Sequence, residues 1–135
     1  MRNDDLTGTV IGCAYKVHNK LGAGFIEKVY ENALRIELDK LGFKIKQQEP
    51  IAVFYEGSLV GKFYADLWID DRLIIEVKAN VNLAKEFEVQ LVNYLAATGV
   101  DDGLLINFGL SVQVKRKFRE YNPKSRQLNN ILPVT

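Results

Sequence analysis

Three charged residues interrupt apolar segments that have the pattern of β-strands. Asp66 lies within residues 63–69, and Glu76 and Lys78 lie within residues 73–78. A charged side chain in an apolar strand is costly unless it is paired or binds an ion. Carboxylate oxygens suit Mg²⁺, which can activate a water beside a phosphate, and a neighbouring lysine can orient that water. The three residues fit metal-dependent phosphoryl chemistry, although a buried ion pair of Lys78 with one carboxylate is the simpler explanation of the spacing alone.

The turn between the two segments decides whether the carboxylates meet. Side chains alternate along a strand, so a two-residue loop at Asp70-Asp71 pairs Asp66 with Ile75 and turns Glu76 to the opposite face. A three-residue loop, or one bulge, pairs Asp66 with Glu76 directly. The chemistry requires the second register, but the loop contains no glycine and its turn type does not select one register.

Hydrophobic periodicity predicts the elements that must position these residues. Apolar residues at spacings of three and four predict helices over residues 4–21, 26–41 and 83–98. Alternating or continuous apolar runs predict strands over residues 43–46, 51–55, 58–69, 73–78, 104–108 and 112–118. The third helix, with the strands on either side of it, has the length of a right-handed βαβ crossover. We therefore expect one layered α/β domain with a mixed central sheet flanked by helices.

The composition excludes several classes of protein. The chain has 135 residues, 47% hydrophobic and 26% charged, which suits one domain with its own core. A net charge of +1 excludes a strongly basic, histone-like binder, and one cysteine and one histidine exclude an internal disulfide and a zinc cluster. No apolar run approaches the roughly 20 residues of a membrane span. The N-terminus lacks the apolar stretch of a secretory signal, so we expect a cytoplasmic protein.

Positive charge is concentrated towards the C-terminal end. Residues 113–135 contain six basic side chains and one acidic side chain. On the last predicted strand and just beyond it, Lys115, Lys117 and Arg119 share one face and Arg116 lies on the other. These cations could bind a polyanion, although a solvated strand is the simpler explanation of the charge alone. We predict a domain over residues 1–120 and an irregular tail over residues 121–135.

Several ordered motifs along the chain match those of one protein family. Residues 24–30 fit the pattern Gly-x-x-Glu-x-x-Tyr, and the matching segments that follow are 65–67, 75–78, 90–95 and 103–108. The chain resembles the GxxExxY protein family, a bacterial and archaeal group within the PD-(D/E)XK nuclease superfamily. The resemblance covers residues 5–118 and implies a restriction-endonuclease-like core, in which a mixed sheet is flanked by helices.

The resemblance also implies roles for individual residues. Asp66 would be the first acidic position of the motif, and Glu76 and Lys78 its E-x-K pair. Glu27 resembles the helical glutamate that joins the metal site in many relatives. It stands in a first helical turn, where an acidic residue also complements the helix dipole. The carbonyl of Val77 would be a further metal ligand.

Residues of the third predicted helix fit the same site. Gln90 resembles a glutamine found after the E-x-K strand in several of these nucleases, and Tyr94, four residues further on, would line the cleft. Tyr30 would face the cleft or pack in the core. Phe87 stands where many members have a histidine.

These features together predict a Mg²⁺- or Mn²⁺-dependent nuclease acting on phosphodiester bonds, with DNA as the expected substrate. One alternative is a non-catalytic nucleic-acid- or partner-binding module on a nuclease fold, and another is a phosphohydrolase acting on a small nucleotide. A homodimer is also predicted, because one small protomer contacts little of a duplex.

Overall fold

The computed structural model describes residues 4–120, which form three helices and one five-stranded sheet. The elements are α1 (Asp4–Leu21), α2 (Glu27–Lys40), β1 (Ile45–Tyr55), β2 (Ser58–Ile69), β3 (Leu73–Lys78), α3 (Lys85–Thr98), β4 (Asp102–Phe108) and β5 (Val112–Phe118). The strands lie in the sheet in chain order. Strands β3 and β4 are parallel, and the other neighbouring pairs are antiparallel. The predicted fold class is therefore confirmed, whereas the predicted tail, residues 121–135, lies outside the described residues.

The helices form where the apolar spacing predicts them. In α1 the buried side chains recur at intervals of three and four and lie on one face: Leu6, Val10, Cys13, Ala14 and Val17. Gly24, in the loop before α2, has φ +107°, a conformation that side chains other than glycine rarely adopt, and the turn allows α2 to begin at Glu27. None of the helices in residues 4–120 combines the length and the apolar character that a bilayer crossing requires.

One predicted division of the sheet is wrong. Residues 43–46 and 51–55 were expected to form separate strands, but the second half of the first segment and all of the second lie in the single strand β1. The break was predicted because residues 47–50 are not apolar, and the strand has a local distortion there, at Gln48, where φ is +54°. Gln47 still pairs with Leu67 and Glu49 with Ala65, so the register continues across the distortion although the pair between them is missing. The chain therefore has three strands, not four, before α3.

The distortion at Gln48 changes which face of the β1–β2 hairpin the odd-numbered side chains occupy. Ile45 and Leu67 pack in the core beneath α1 and α2, whereas Ile51 and Ala65 belong to the core beneath α3. All four positions are odd-numbered and would share one face of regular strands. The face changes at the missing Gln48/Asp66 pair, which brings Asp66 to the boundary between the two helical layers.

Helices cover both faces of the central strands. The larger core joins α1 and α2 to the sheet, and the smaller core joins α3 to the opposite face. Every residue of β4 and all but the last residue of β3 are buried, as is typical of parallel strands covered on both faces. The central strands therefore provide a rigid base for side chains at their ends.

Candidate active site

The turn between β2 and β3 has the three-residue length that the chemistry requires. Ile69 pairs with Leu73, so residues 70–72 form the loop. Asp70 and Asp71 take the place of a glycine, with φ of 49° and 58°, because aspartate tolerates the left-handed region better than most residues. Asp70 also fixes the turn, since its Oδ1 accepts a hydrogen bond from the backbone N–H of Lys44 at 2.9 Å.

The two carboxylates replace the backbone pairing at the end of this hairpin. The regular pairs end at Leu67 and Ile75. Beyond them, Asp66 Oδ2 accepts a hydrogen bond from the Val77 N–H at 2.8 Å, and Glu76 Oε2 accepts one from the Asp66 N–H at 3.1 Å. Each carboxylate is thus held by the backbone of the opposite strand, and the two lie side by side.

The remaining oxygens can serve as metal ligands. Glu76 Oε1 accepts no hydrogen bond from the described residues, and Asp66 Oδ1 accepts one from Gln48 at 3.0 Å. Hard oxygens of this kind suit Mg²⁺, which completes its coordination with waters and phosphate oxygens. In the part of the chain that the structure describes, no three acidic, histidine or cysteine side chains are already gathered around one point. Asp66 and Glu76 therefore offer two carboxylates to a divalent cation, and Glu27 does not complete a three-carboxylate group with them.

Burial makes Glu76 an unusual carboxyl group. Its side chain is 6% exposed. Burial raises the pKa of Glu76 to about 8, and the neighbouring charges of Asp66 and Glu27 also raise it, against the opposing effects of the Asp66 N–H and Lys78. Without a cation, Glu76 is largely protonated at neutral pH.

Asp66 is shifted in the same direction. Burial raises its pKa, and the negative charge of Glu31 adds to the rise. The Val77 N–H, the Gln48 amide and Lys78 lower the pKa and partly offset these effects. Two neighbouring carboxyl groups with raised pKa values are typical of functional sites.

Glu27, at the first residue of α2, belongs to the same electrostatic neighbourhood. Burial raises the pKa of this half-buried group. The positive charge of Lys78 lowers that pKa, whereas the negative charge of Asp66 raises it. The structure thus brings Glu27 close enough to interact with both strands, although no hydrogen bond joins it to the other carboxylates among the described residues.

Lys78 is held by an aromatic ring. Its Nζ lies 4.4 Å from the centre of the Phe87 ring, a cation–π contact that restrains the position of the amine. Among residues 4–120, Lys78 forms no ion pair with a carboxylate at salt-bridge distance. The ion pair that would explain the spacing without any function is therefore not formed.

Gln90 and Tyr94 lie on the face of α3 near the site. Burial raises the pKa of Tyr94 to about 12, and the negative charges of Glu76 and Asp66 contribute to that rise. The Tyr94 ring lies 5.7 Å from the ring of Phe63 on β2. Gln90 and Tyr94 also line a partly open groove of about 1000 Å³. Glu88 and Lys117 line the same groove, whereas Asp66 and Glu76 do not.

Tyr30 lies in the core, away from any cleft. It is fully buried, and its ring stacks on Phe108 with 4.7 Å between the ring centres. Its hydroxyl donates a hydrogen bond to the Gly22 carbonyl at 2.6 Å and accepts one from the Phe25 N–H at 3.2 Å. Tyr30 therefore fixes the loop that leads into Glu27.

Most of the cations of β5 are occupied by carboxylates. Arg116 pairs with Asp4 at 2.6 Å and with Asp102 at 3.4 Å. Similar contacts join Lys117 to Glu88 at 3.0 Å and Arg119 to Asp101 at 2.9 Å. These cations tie β5 to neighbouring elements.

Lys115 differs from these cations because it is exposed. It pairs with Leu105 on β4, and Leu105 pairs with Glu76 on β3. Two strand spacings, or about 10 Å, therefore separate the backbones of Lys115 and Glu76 within one row of the sheet.

Two residues next to the carboxylates belong to the segments that match the family pattern, but no role was predicted for them from the sequence. Glu31 is 2% exposed, and Gln48 donates hydrogen bonds to both Glu31 and Asp66. The spacing of four between Glu27 and Glu31 on one helix was the available signal, because such residues share a face. The hydrogen bonds of Gln48 depend on the distortion of β1, which no periodicity indicates.

Comparison with known proteins supports the fold. The chain is similar to the crystal structure of an alkaline exonuclease, LHK-Exo, from Laribacter hongkongensis, with 14% identity and a TM-score of 0.55 over 77% of this chain and 61% of that one. It is also similar to the crystal structure of SSO0001, with 16% identity and a TM-score of 0.55 over 76% of this chain and 55% of that one. The chain thus spans little more than half the length of either structure. No curated protein matches it.

The sequence matches a family model over most of its length. The model describes the PD-(D/E)XK nuclease superfamily, and the match extends over residues 4–120, which include every helix and strand described above. The chain therefore belongs to the PD-(D/E)XK nuclease superfamily.

Proposed function

We propose that this protein is a metal-dependent nuclease that hydrolyses phosphodiester bonds, with Mg²⁺ as its cation and DNA as its substrate. The observation that carries the proposal is the side-by-side pair of Asp66 and Glu76, each fixed by a backbone N–H of the opposite strand. Membership of the nuclease superfamily supports it. The Gly-x-x-Glu-x-x-Tyr pattern of residues 24–30 further supports a place in the GxxExxY group.

The acidic residues would hold the cation. Asp66 and Glu76 would bind the cation directly. The backbone carbonyl of Val77, the residue after Glu76, would be a further ligand, and Glu27 would bind directly or through a water. A divalent cation supplies charge neutralisation at the phosphate and lowers the pKa of a water. Because Glu76 must lose its proton to bind, cation binding releases a proton near neutral pH.

Lys78 and Gln90 would act on the reacting groups. The Lys78 amine, confined by the Phe87 ring, would orient the attacking water and stabilise the negative charge that develops on the phosphate oxygens. That water forms a bond to phosphorus while the bond from phosphorus to a sugar oxygen breaks, and the sugar oxygen leaves with a proton. Gln90 would orient the water, the lysine or a phosphate oxygen.

We propose the exposed Lys115 as the phosphate contact of β5, in the same row of the sheet as Glu76. A homodimer would extend this small contact surface across a duplex. Light scattering at micromolar concentration tests the dimer, and a monomer mass would contradict it.

Cleavage of plasmid and single-stranded DNA tests the function. Wild-type protein should cut with Mg²⁺ or Mn²⁺ and be inactive with chelator, and Glu76→Ala and Lys78→Ala should be inactive. Glu37→Ala is the matched control, because Glu37 pairs with Lys16 and Lys40 on α1 and α2, does not line the groove and should leave cleavage unchanged. Cleavage that persists in the Glu76 and Lys78 variants would contradict the proposal.

Binding measurements beside the cleavage assay distinguish the nuclease from the alternative function, a non-catalytic binding module. A non-catalytic module would bind nucleic acid in a salt-sensitive manner without any metal-dependent cleavage. Gel shifts over a salt series, run with and without Mn²⁺, therefore complete the experiment.

A further inference from the structure

Gln48 joins the proposed metal site to a buried carboxylate on α2. Its Nε2 lies 3.0 Å from Asp66 Oδ1, 3.0 Å from Glu31 Oε2 and 3.3 Å from Glu31 Oε1. Ionised carboxylates only accept hydrogen bonds, whereas the amide nitrogen carries two hydrogens. One hydrogen therefore goes to each carboxylate, and this requirement fixes which way the amide faces.

The backbone of Gln48 is held in an unfavourable conformation that makes this contact. Its φ of +54° is uncommon for a residue other than glycine and costs on the order of 1 kcal/mol. The neighbouring pairs of β1 and β2 keep a constant register on both sides of it. The conformation is therefore confined to the one position opposite Asp66.

Glu31 is a fixed support for this amide. Its side chain is 2% exposed and accepts hydrogen bonds from Lys28 Nζ at 3.1 Å and from Gln47 Nε2 at 2.7 Å, besides those from Gln48. A buried carboxylate with several donors has little freedom to move. Although Gln48 itself is exposed to solvent, its side-chain amide is thus held by a buried carboxylate, Glu31, that has little freedom to move.

Gln48 and Val77 together orient the carboxylate of Asp66. The Val77 N–H binds Oδ2 and the Gln48 amide binds Oδ1, so the plane of the carboxylate is fixed at both ends. Each oxygen keeps lone-pair capacity for a cation. We propose that Gln48, anchored by Glu31, is a positioning residue that holds Asp66 ready to bind the divalent cation. The inference rests on the proposed function, because it assigns a role at the same metal site.

Mn²⁺ titration, followed by the loss of the free-ion signal in electron paramagnetic resonance, tests this role without measuring activity. Gln48→Met keeps the length of the side chain but removes the donor, and the expected increase in Kd for Mn²⁺ is about tenfold, the lower end for residues that orient metal ligands. Gln47→Met is the matched control. Gln47 also donates to Glu31, and its other partner is Asn32, so its Kd should stay within about twofold of wild type.

Circular dichroism and thermal unfolding accompany each titration. Glu31→Gln is the second variant, used if Gln48→Met fails to fold, and its Kd for Mn²⁺ should also rise. Equal weakening in Gln47→Met and Gln48→Met would mean that both merely support Glu31, and would overturn the inference. Wild-type affinity in Gln48→Met would overturn the inference alone, whereas the absence of Mn²⁺ binding to wild-type protein would overturn the proposed metal site with it.

Discussion

Two regions of the sheet differ in whether their charged side chains are paired with opposite charges. On β5 and just beyond it, Arg116, Lys117 and Arg119 each meet a carboxylate of a neighbouring element. At the β2–β3 hairpin, Asp66 and Glu76 meet each other, and Lys78 meets an aromatic ring. Matched charges stabilise the fold modestly. Like charges buried together destabilise it unless a cation or a proton joins them, so the hairpin is the region equipped for a ligand.

The largest expected difference between the two regions is in the effect of replacing a lysine on the rate of DNA cleavage. Lys78→Met should lower kcat for DNA cleavage by roughly 10²–10³-fold, because it removes the charge that stabilises the transition state. Lys117→Met should leave kcat within about twofold, because Lys117 is already paired with Glu88, and should lower the free energy of unfolding by ~0.5–1 kcal/mol through the loss of that partly buried ion pair. Steady-state kinetics and urea denaturation measure the two effects. Equal loss of activity in both variants would remove the distinction between the regions.

The pH dependence of stability should come from the hairpin. The pKa of Glu76 is raised to about 8, so the folded protein retains a proton that the unfolded chain loses above pH 4.5. Stability from this group is complete below pH 4.5 and is lost as pH rises through 8. In metal-free protein, the free energy of unfolding should fall by ~2–4 kcal/mol between pH 5 and pH 9.

Urea denaturation in the presence of chelator at several pH values measures this slope. Glu76→Gln should remove most of it, because the amide does not titrate and only the raised pKa values of Asp66 and Glu27 then contribute. Glu88→Gln should retain it, because the pKa of Glu88 is lowered by its hydrogen bond to Lys117 and the group titrates below this range. A flat profile in the wild-type protein would contradict the assignment.

Each of the two regions contains a cation–π contact between an aromatic ring and a basic side chain. Phe87→Leu removes the ring that contacts Lys78 at 4.4 Å, and Phe118→Leu removes the ring that contacts Arg116 at 4.9 Å. A cation–π contact contributes about 0.5–1 kcal/mol or more, so Phe87→Leu should lower kcat by roughly three- to tenfold. Phe118→Leu should leave kcat unchanged, and kinetics at saturating DNA compares the two. A larger effect at Phe118 would place the functional lysine or arginine on β5.

The smallest effect is expected at Lys115. Lys115→Gln should weaken DNA binding by about two- to threefold and reduce the slope of log affinity against log salt by about one. Arg116→Gln should change that slope less, because Arg116 is already bound to Asp4 and Asp102. Fluorescence anisotropy over a salt series measures both, and a larger slope change at Arg116 would contradict the assignment.

The fold could be predicted from the sequence to the extent that it rests on local pattern. The spacing of apolar residues predicted α1, the long strand-like segment 58–69 between two turn signals predicted β2, and the alternation of apolar and basic residues predicted β5. The parallel connection through α3 followed from its length. The single strand β1 was missed because residues 47–50 contain no residue that continues the apolar alternation, although the strand runs on through the left-handed backbone of Gln48.

The site was less accessible to prediction. The burial of charge in apolar strands drew attention to Asp66, Glu76 and Lys78. Their meeting depended on a turn in which two aspartates take positive φ, a choice that sequence alone leaves open. The contacts of Glu31 with Gln48 arise between elements distant in sequence, so no local pattern encodes them.

The central claim is that Asp66 and Glu76 bind one divalent cation. Crystals soaked with MnCl₂ at about pH 8.5, where Glu76 is ionised, provide the most direct measurement. Anomalous diffraction should reveal one strong peak about 2.0–2.4 Å from a carboxylate oxygen of each residue. A well-ordered map with no peak between them, or with Mn²⁺ bound only elsewhere, would contradict the account.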